Sequence, residues 1–111
     1  MNRNAYTPIT ADPVLLRLNS CRDWGTLHQR IRKAFGFPDY YGENWDAFWD
    51  LIDGTRDNTM VEIQGISTMP KELREEAGKM ILCLEDNIKE MEKLKQRRPD
   101  FDCRFSYRVL D

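Results

Sequence analysis

The sequence predicts a small α/β domain in which three short parallel strands are packed with helices. Short apolar runs that suit strands occur three times, at 14–18 (VLLRL), 60–63 (MVEI) and 103–110 (CRFSYRVL). Segments of helical periodicity separate each run from the next. Strands joined by helical crossovers pair in parallel, with right-handed connections. At 111 residues the chain has room for one domain and one core.

The elements follow in order. Residues 1–12 are polar, with Pro8 and then Pro13 as punctuation, and read as a loosely held N-terminal arm ahead of a folded domain over 13–111. The first strand is the short apolar run 14–18, which fits a buried strand. Asp23 is placed to N-cap a helix through WGTLHQRIRKAF, with Trp24, Leu27, Ile31 and Ala34 at helical spacing and Gly36 ending it. In the loop FPDYYGEN, Pro38 restricts its neighbour and Gly42 is the residue able to take a positive φ. Asn44 then N-caps a second helix, WDAFWDLID, closed by Gly54. After the second strand, 70–98 is helical in pattern, but one helix of that length would span about 43 Å. A domain of this size has an expected radius of gyration of about 13 Å, so a break near Gly78 is expected, giving a short helix and a longer one. The basic finish Lys93, Lys95, Arg97, Arg98 suits a helix C-terminus, and Pro99 stops it. In the third strand, Phe105, Tyr107 and Val109 alternate with polar residues.

Composition excludes several classes. Mean hydropathy is −0.69, and no apolar run approaches the roughly 20 residues that cross a bilayer. The first residues lack the apolar stretch of a secretory signal, so a cytoplasmic protein is expected. Cys21, Cys83 and Cys103 are odd in number and widely spaced, which argues against a disulfide scaffold or a zinc site. Neither a metal nor a cofactor is expected.

Net charge is only −2, but it is unevenly distributed. Between residues 39 and 54 stand Asp39, Glu43, Asp46, Asp50 and Asp53 with no Lys or Arg, leaving 17 basic against 14 acidic side chains elsewhere. A nucleic-acid binder would carry the opposite stripe, because phosphates are met by Lys and Arg. Direct nucleic-acid binding is therefore disfavoured.

The segment 45–53 carries the informative pattern. At about 100° per residue, Asp46 lies about 40° and Asp53 about 60° from Asp50 on the same side. Trp45, Phe48 and Ile52 cluster opposite, and Trp49 lies at the border of the acidic face. Like charges at i,i+4 destabilise a helix by roughly 0.2–0.5 kcal/mol. Stability alone would favour an interspersed Lys. Asp46 near the N-terminus is helped by the helix dipole, whereas Asp53 at the C-terminal end is opposed by it. Tyr40 and Trp49 beside the carboxylates are side-chain types that anchor protein interfaces; Tyr40 is expected to be exposed and Tyr41 to be core.

The stretch DWGTLHQRIRKAFGFPDYYGENWDAFWDLIDG resembles the barstar (ribonuclease inhibitor) family, with LHQ and FPDYYGENWDAFWD at the family's spacing. This specific part covers about a third of the chain. The resemblance implies a three-stranded parallel sheet packed with helices, and an immunity protein of a toxin–antitoxin pair that occludes a ribonuclease active site. It implies that Asp50 is the main carboxylate entering the enzyme's phosphate site and Asp46 a second contact. Tyr40 and Trp49 would be apolar contacts, and Asn44 and Gly54 would border the helix. A Glu from the helix before the last strand would also take part, with Glu90 the best match and Glu92 the alternative. Asp53 stands where the first-described member has Thr, and Thr55 where it has Trp, which implies a different cognate enzyme. Charge-steered association is best known from the barnase–barstar pair itself, so that physics is borrowed from a relative.

Two rival readings use the same residues. An enzyme would need Asp46 and Asp50 as an acid/base pair, yet two carboxylates on one exposed turn have no desolvating pocket to separate their acidities. His28 reads as a structural or surface residue. The other rival is an acidic adaptor for a basic protein that is not a ribonuclease. The binding readings share one expectation: a monomer forming a 1:1 complex with a basic partner.

Overall fold

The computed structural model describes residues 13–52, 59–100 and 104–110. Strand β1 (Val14–Arg17) is followed by helices α1 (Trp24–Phe35) and α2 (Trp45–Ile52), then strand β2 (Thr59–Gln64). A 3-10 turn (Ile66–Thr68) leads into helix α3 (Lys71–Arg97), and strand β3 (Phe105–Leu110) follows. The sheet has the order β1-β2-β3 and both pairings are parallel, with Leu16 opposite Ile63 and Ile63 opposite Val109. This is the predicted α/β architecture. The expected arm over 1–12 lies outside the described residues, as does Cys103.

Strands β1 and β2 bury alternate side chains, as expected of a sheet packed with helices on one face, whereas in β3 only Phe105 is buried and Val109 is exposed. Val14, Leu16, Val61, Ile63 and Phe105 point into the core with Leu27, Ile31 and Phe35 of α1, Phe48 and Ile52 of α2, and Leu73, Ala77, Met80 and Leu84 of α3. The alternation in β2, faint in its sequence, is strict in its burial. Cys21 and Cys83 are free thiols.

The helix starts are set by the residues the sequence singles out. Asp23 accepts a hydrogen bond from the Thr26 amide at 2.8 Å, which also holds its carboxyl below the usual range. Gly36 closes α1 in the left-handed region at φ 72°, donating its amide to the Arg32 carbonyl.

The expected break in the third helical segment is absent. Lys71–Arg97 is one uninterrupted helix of 27 residues, about 40 Å long, and it lies in a molecule whose longest principal extent is 43 Å. A glycine inside a helix costs only about 1 kcal/mol, and Gly78 sits on the exposed side with open space around it. The stripe Leu73, Ala77, Met80, Leu84, Asn87, Met91 stays buried across that position, so packing overrides the local weakness. The last turns, Lys95 to Arg97, simply project past the core. The predicted short helix is the first turns of α3, continuous with the rest, and a 3-10 turn that the pattern did not announce precedes it.

Gly65, between β2 and that turn, has φ 87°, and a Cβ there would lie 2.6 Å from the Asn19 backbone nitrogen. Gly65→Ala should therefore cost about 1–3 kcal/mol in backbone strain, with displacement of Asn19 adding to it. Urea unfolding should show a clearly lowered midpoint; an unchanged midpoint would mean that the two loops are not in contact.

Candidate functional site

The site is built on α2. Asn44 caps it twice over, its Oδ1 accepting from the Ala47 amide at 2.8 Å and its Nδ2 donating to the Gly42 carbonyl at 3.1 Å. Between them, the positive φ expected of Gly42 falls instead on Glu43, at 55°. Gly42 is needed for space: a Cβ there would meet Ala47 Cβ and Asn44 Nδ2, each at 3.3 Å. The Asn44 bridge holds the left-handed turn at Glu43, and so sets where the helix begins.

Beneath α2, Phe48 and Ile52 are fully buried. Trp45, half-buried, donates its indole N–H to Glu76 of α3 at 2.8 Å, a bond that holds the Glu76 carboxyl below the usual range. Cys83 of α3 lies under the start of α2, its Sγ 4.0 Å from the Trp45 carbonyl oxygen. Burial pushes the Cys83 thiol up, and the nearby Asp86 and Asp46 add to this.

On the other side of α2, Asp46 and Asp50 are exposed, and neither forms an ion pair with a described residue. Trp49, half-buried, packs against the core beside them, and Tyr40 is 63% exposed while Tyr41 is 6% exposed. Asp39, counted in the acidic segment, is tied to Arg32 of α1 at 3.0 Å. Asp53 and Gly54 lie outside the described residues. Glu90 is exposed and pairs with Lys93 at 3.2 Å. Seven residues beyond Cys83, it lies about 20° round α3 from it, on the flank that faces α2. Glu92 stands in the same relation to Glu85, which accepts a hydrogen bond from Tyr107 of β3 at 2.6 Å, and so belongs to the other flank.

The family model for Barstar (barnase inhibitor) matches residues 11–106. The chain belongs to the barstar family. Among curated proteins, the chain is 50% identical over 28 residues to "Putative ribonuclease inhibitor YrdF" of Bacillus subtilis (strain 168), a stretch that is 25% of this chain and 31% of that protein. The chain thus matches less than a third of that relative's length. No solved structure matches.

In this barstar-family chain, a histidine-centred aromatic cluster adjoins the site, with parts from three elements that no local pattern links. His28 of α1 is fully buried, its Nδ1 2.7 Å from the Tyr41 hydroxyl. The Trp24 and Trp45 rings lie 4.4 and 4.7 Å from it. Its Nε2 has no hydrogen-bond partner among the described residues. Trp24, itself 39% exposed, was legible only as a core-face residue of α1. Burial pushes the His28 pKa below its ordinary 6.5, outweighing the opposite pull of Glu43 and Glu76. Burial also pushes the Tyr41 phenol up, with Glu43 and Cys83 adding to it.

The consequence for stability has a definite sign. A folded state that binds the proton less well than the unfolded chain keeps its full stability above the unfolded pKa and loses it as pH falls. Stability should decline as pH drops below about 6.5, before the carboxylates titrate. His28→Gln should flatten that part of the profile in urea titrations at successive pH values. An equal slope in the variant would assign the loss to other groups.

Proposed function

We propose that this chain is a proteinaceous inhibitor, an immunity protein that occludes the active site of a basic ribonuclease or ribonuclease toxin with the acidic face of α2. The observation that carries this reading is the pair Asp46 and Asp50, exposed and without a counter-ion among the described residues, on a helix capped by Asn44. Membership of the barstar family supports it, as does the name of the Bacillus subtilis relative. A ribonuclease grips a phosphodiester with Arg, Lys and His. Two carboxylates one helical turn apart, about 6 Å, present acceptor oxygens to those groups in place of phosphate. Asp50 enters deepest, Asp46 makes a second charged contact, and Tyr40 and Trp49 exclude water around them. Asn44, Asp53 and Gly54 are proposed as further partner contacts, and Glu90 contributes from α3. The chain itself performs no chemistry and binds its enzyme 1:1.

The test is inhibition of RNA cleavage by a panel of basic ribonucleases, including any toxin domain encoded beside this chain's gene. Inhibition saturating at one equivalent is expected, with an association rate that falls steeply with ionic strength. Binding to a basic toxin that cleaves no RNA, with no ribonuclease inhibited, would replace this reading with that of an acidic adaptor.

A further inference from the structure

A second charged surface lies away from α2. Between the edge strand β1 and α1 runs an open groove lined by Leu15, Arg17, Arg30, Lys33 and Ala34. Leu15 is 46% exposed, and with Ala34 it gives the groove an aliphatic floor. Its rim is cationic. Arg30 Nη1 donates to the carbonyls of Arg17 and Asn19, at 3.2 and 2.7 Å, so the guanidinium is held by backbone and its charge is not neutralised. Those bonds also cap part of the free edge of β1, where another strand would otherwise add. None of Arg17, Arg30 and Lys33 forms an ion pair with a described residue.

The groove and the acidic face stand on different sides of α1. His28, which touches Tyr41 and Trp45, marks the flank towards α2, whereas Arg30 lies about 160° and Lys33 about 140° round the helix from it. One copy therefore cannot bring its own acidic face into its own groove. Two copies can. The ligand that the groove selects is acidic with an apolar neighbour, and the chain carries that surface itself: Asp46 and Asp50 with Trp49 alongside.

We propose that the free protein self-associates head to tail, the α2 face of one copy seated in the β1–α1 groove of the next. Asp46 and Asp50 meet Arg17, Arg30 and Lys33, and Trp49 covers Leu15 and Ala34. The contact is heterologous, so it leaves an unused groove at one end and an unused acidic face at the other. An aliphatic floor without an aromatic platform disfavours single-stranded RNA as the occupant. The proposal rests on the reading of the α2 face as a docking surface, and an enzyme bound there would release the copies from one another.

Sedimentation velocity of the full chain tests this. At about 10 mM salt, where charges act over about 30 Å, the sedimentation coefficient should rise with concentration; at about 1 M, where the range is about 3 Å, the protein should be monomeric. Arg17→Glu/Lys33→Glu and Asp46→Lys/Asp50→Lys should each weaken self-association about tenfold or more. Mixing neutral counterparts, Arg17→Gln/Lys33→Gln with Asp46→Asn/Asp50→Asn, restores one intact contact without creating a charge-swapped one and should give a dimer that grows no further. Circular dichroism checks that each variant is folded, and Arg17→Gln/Lys33→Gln replaces the charge reversal if it is not. A monomeric wild type at low salt, self-association that survives in either variant, or a mixture of folded variants that stays monomeric would overturn the proposal, as would RNA binding lost with the groove charges. Ribonuclease inhibition should be unchanged in Arg17→Glu/Lys33→Glu, so failure of this contact and failure of the inhibitor reading give different results.

Discussion

Asp50→Ala is expected to weaken the inhibitory complex by about 2–5 kcal/mol, roughly 30-fold to several thousand-fold in Kd, the range for truncating one partner of a buried, hydrogen-bonded charge pair. The barnase–barstar pair, the type pair of this family, is one of the systems behind that range and exceeds it at its strongest position; the upper half reflects the enzyme cations left buried without a counter-ion. The effect on folding should have the opposite sign. Asp50 is exposed and mid-helix, with the like charge of Asp46 one turn earlier. Removing it relieves roughly 0.2–0.5 kcal/mol of repulsion and installs a better helix former. The variant should thus unfold at an equal or slightly higher urea concentration while losing most of its affinity. Calorimetric titration and urea unfolding on one preparation read both quantities. Asp50→Asn keeps the shape and one acceptor oxygen, so it should fall between wild type and Ala. If Asp50→Ala inhibits as well as the wild type, the carboxylate does not enter the enzyme's phosphate site.

The parts of this molecule that could be read from sequence are those governed by short-range rules. Asp23 and Asn44 act as caps because an Asx side chain reaches an amide three residues on, whatever the fold. The division of α2 into a buried side with Phe48 and an exposed side with Asp46 and Asp50 follows from helical period alone. What escaped depends on distant partners or on competing energies. The bond between His28 and Tyr41 joins residues 13 apart across a loop, and that between Trp45 and Glu76 joins residues 31 apart. Neither has a local signature. The break expected near Gly78 was argued from domain size, but a helix of about 40 Å fits within the molecule's 43 Å longest extent with its polar end exposed. Gly42 was legible as special, but its role is spatial and the strained φ belongs to Glu43, because Asn44 pins both sides of that residue. The groove between β1 and α1 needed the topology, since Leu15 and Lys33 meet only once β1 is known to be an edge.

The largest expected effect on folding is that of Phe48→Ala. With 8 residues, α2 is below the roughly 12–15 that an isolated helix needs to be even marginal in water, so packing must supply its stability. Phe48 is fully buried and meets the rings of Phe35, Phe37 and Trp45 edge-on, with centroids 5.4, 5.9 and 5.8 Å away. Truncating a buried Phe to Ala costs about 3–5 kcal/mol in transfer and cavity terms, a large share of the roughly 5–15 kcal/mol that holds a domain of this size. Phe48→Leu, which keeps most of the volume, should cost much less. Inhibition should weaken in parallel with stability in this pair, because the same ring that fills the core also fixes the direction in which Asp46 and Asp50 project. That behaviour contrasts with Asp50→Ala, where binding falls and folding does not. The decisive comparison is therefore affinity against urea midpoint across the three variants. A Phe48→Ala protein with an undisturbed midpoint would show that α2 is held by something other than this aromatic contact, and the core would then no longer account for where its carboxylates point.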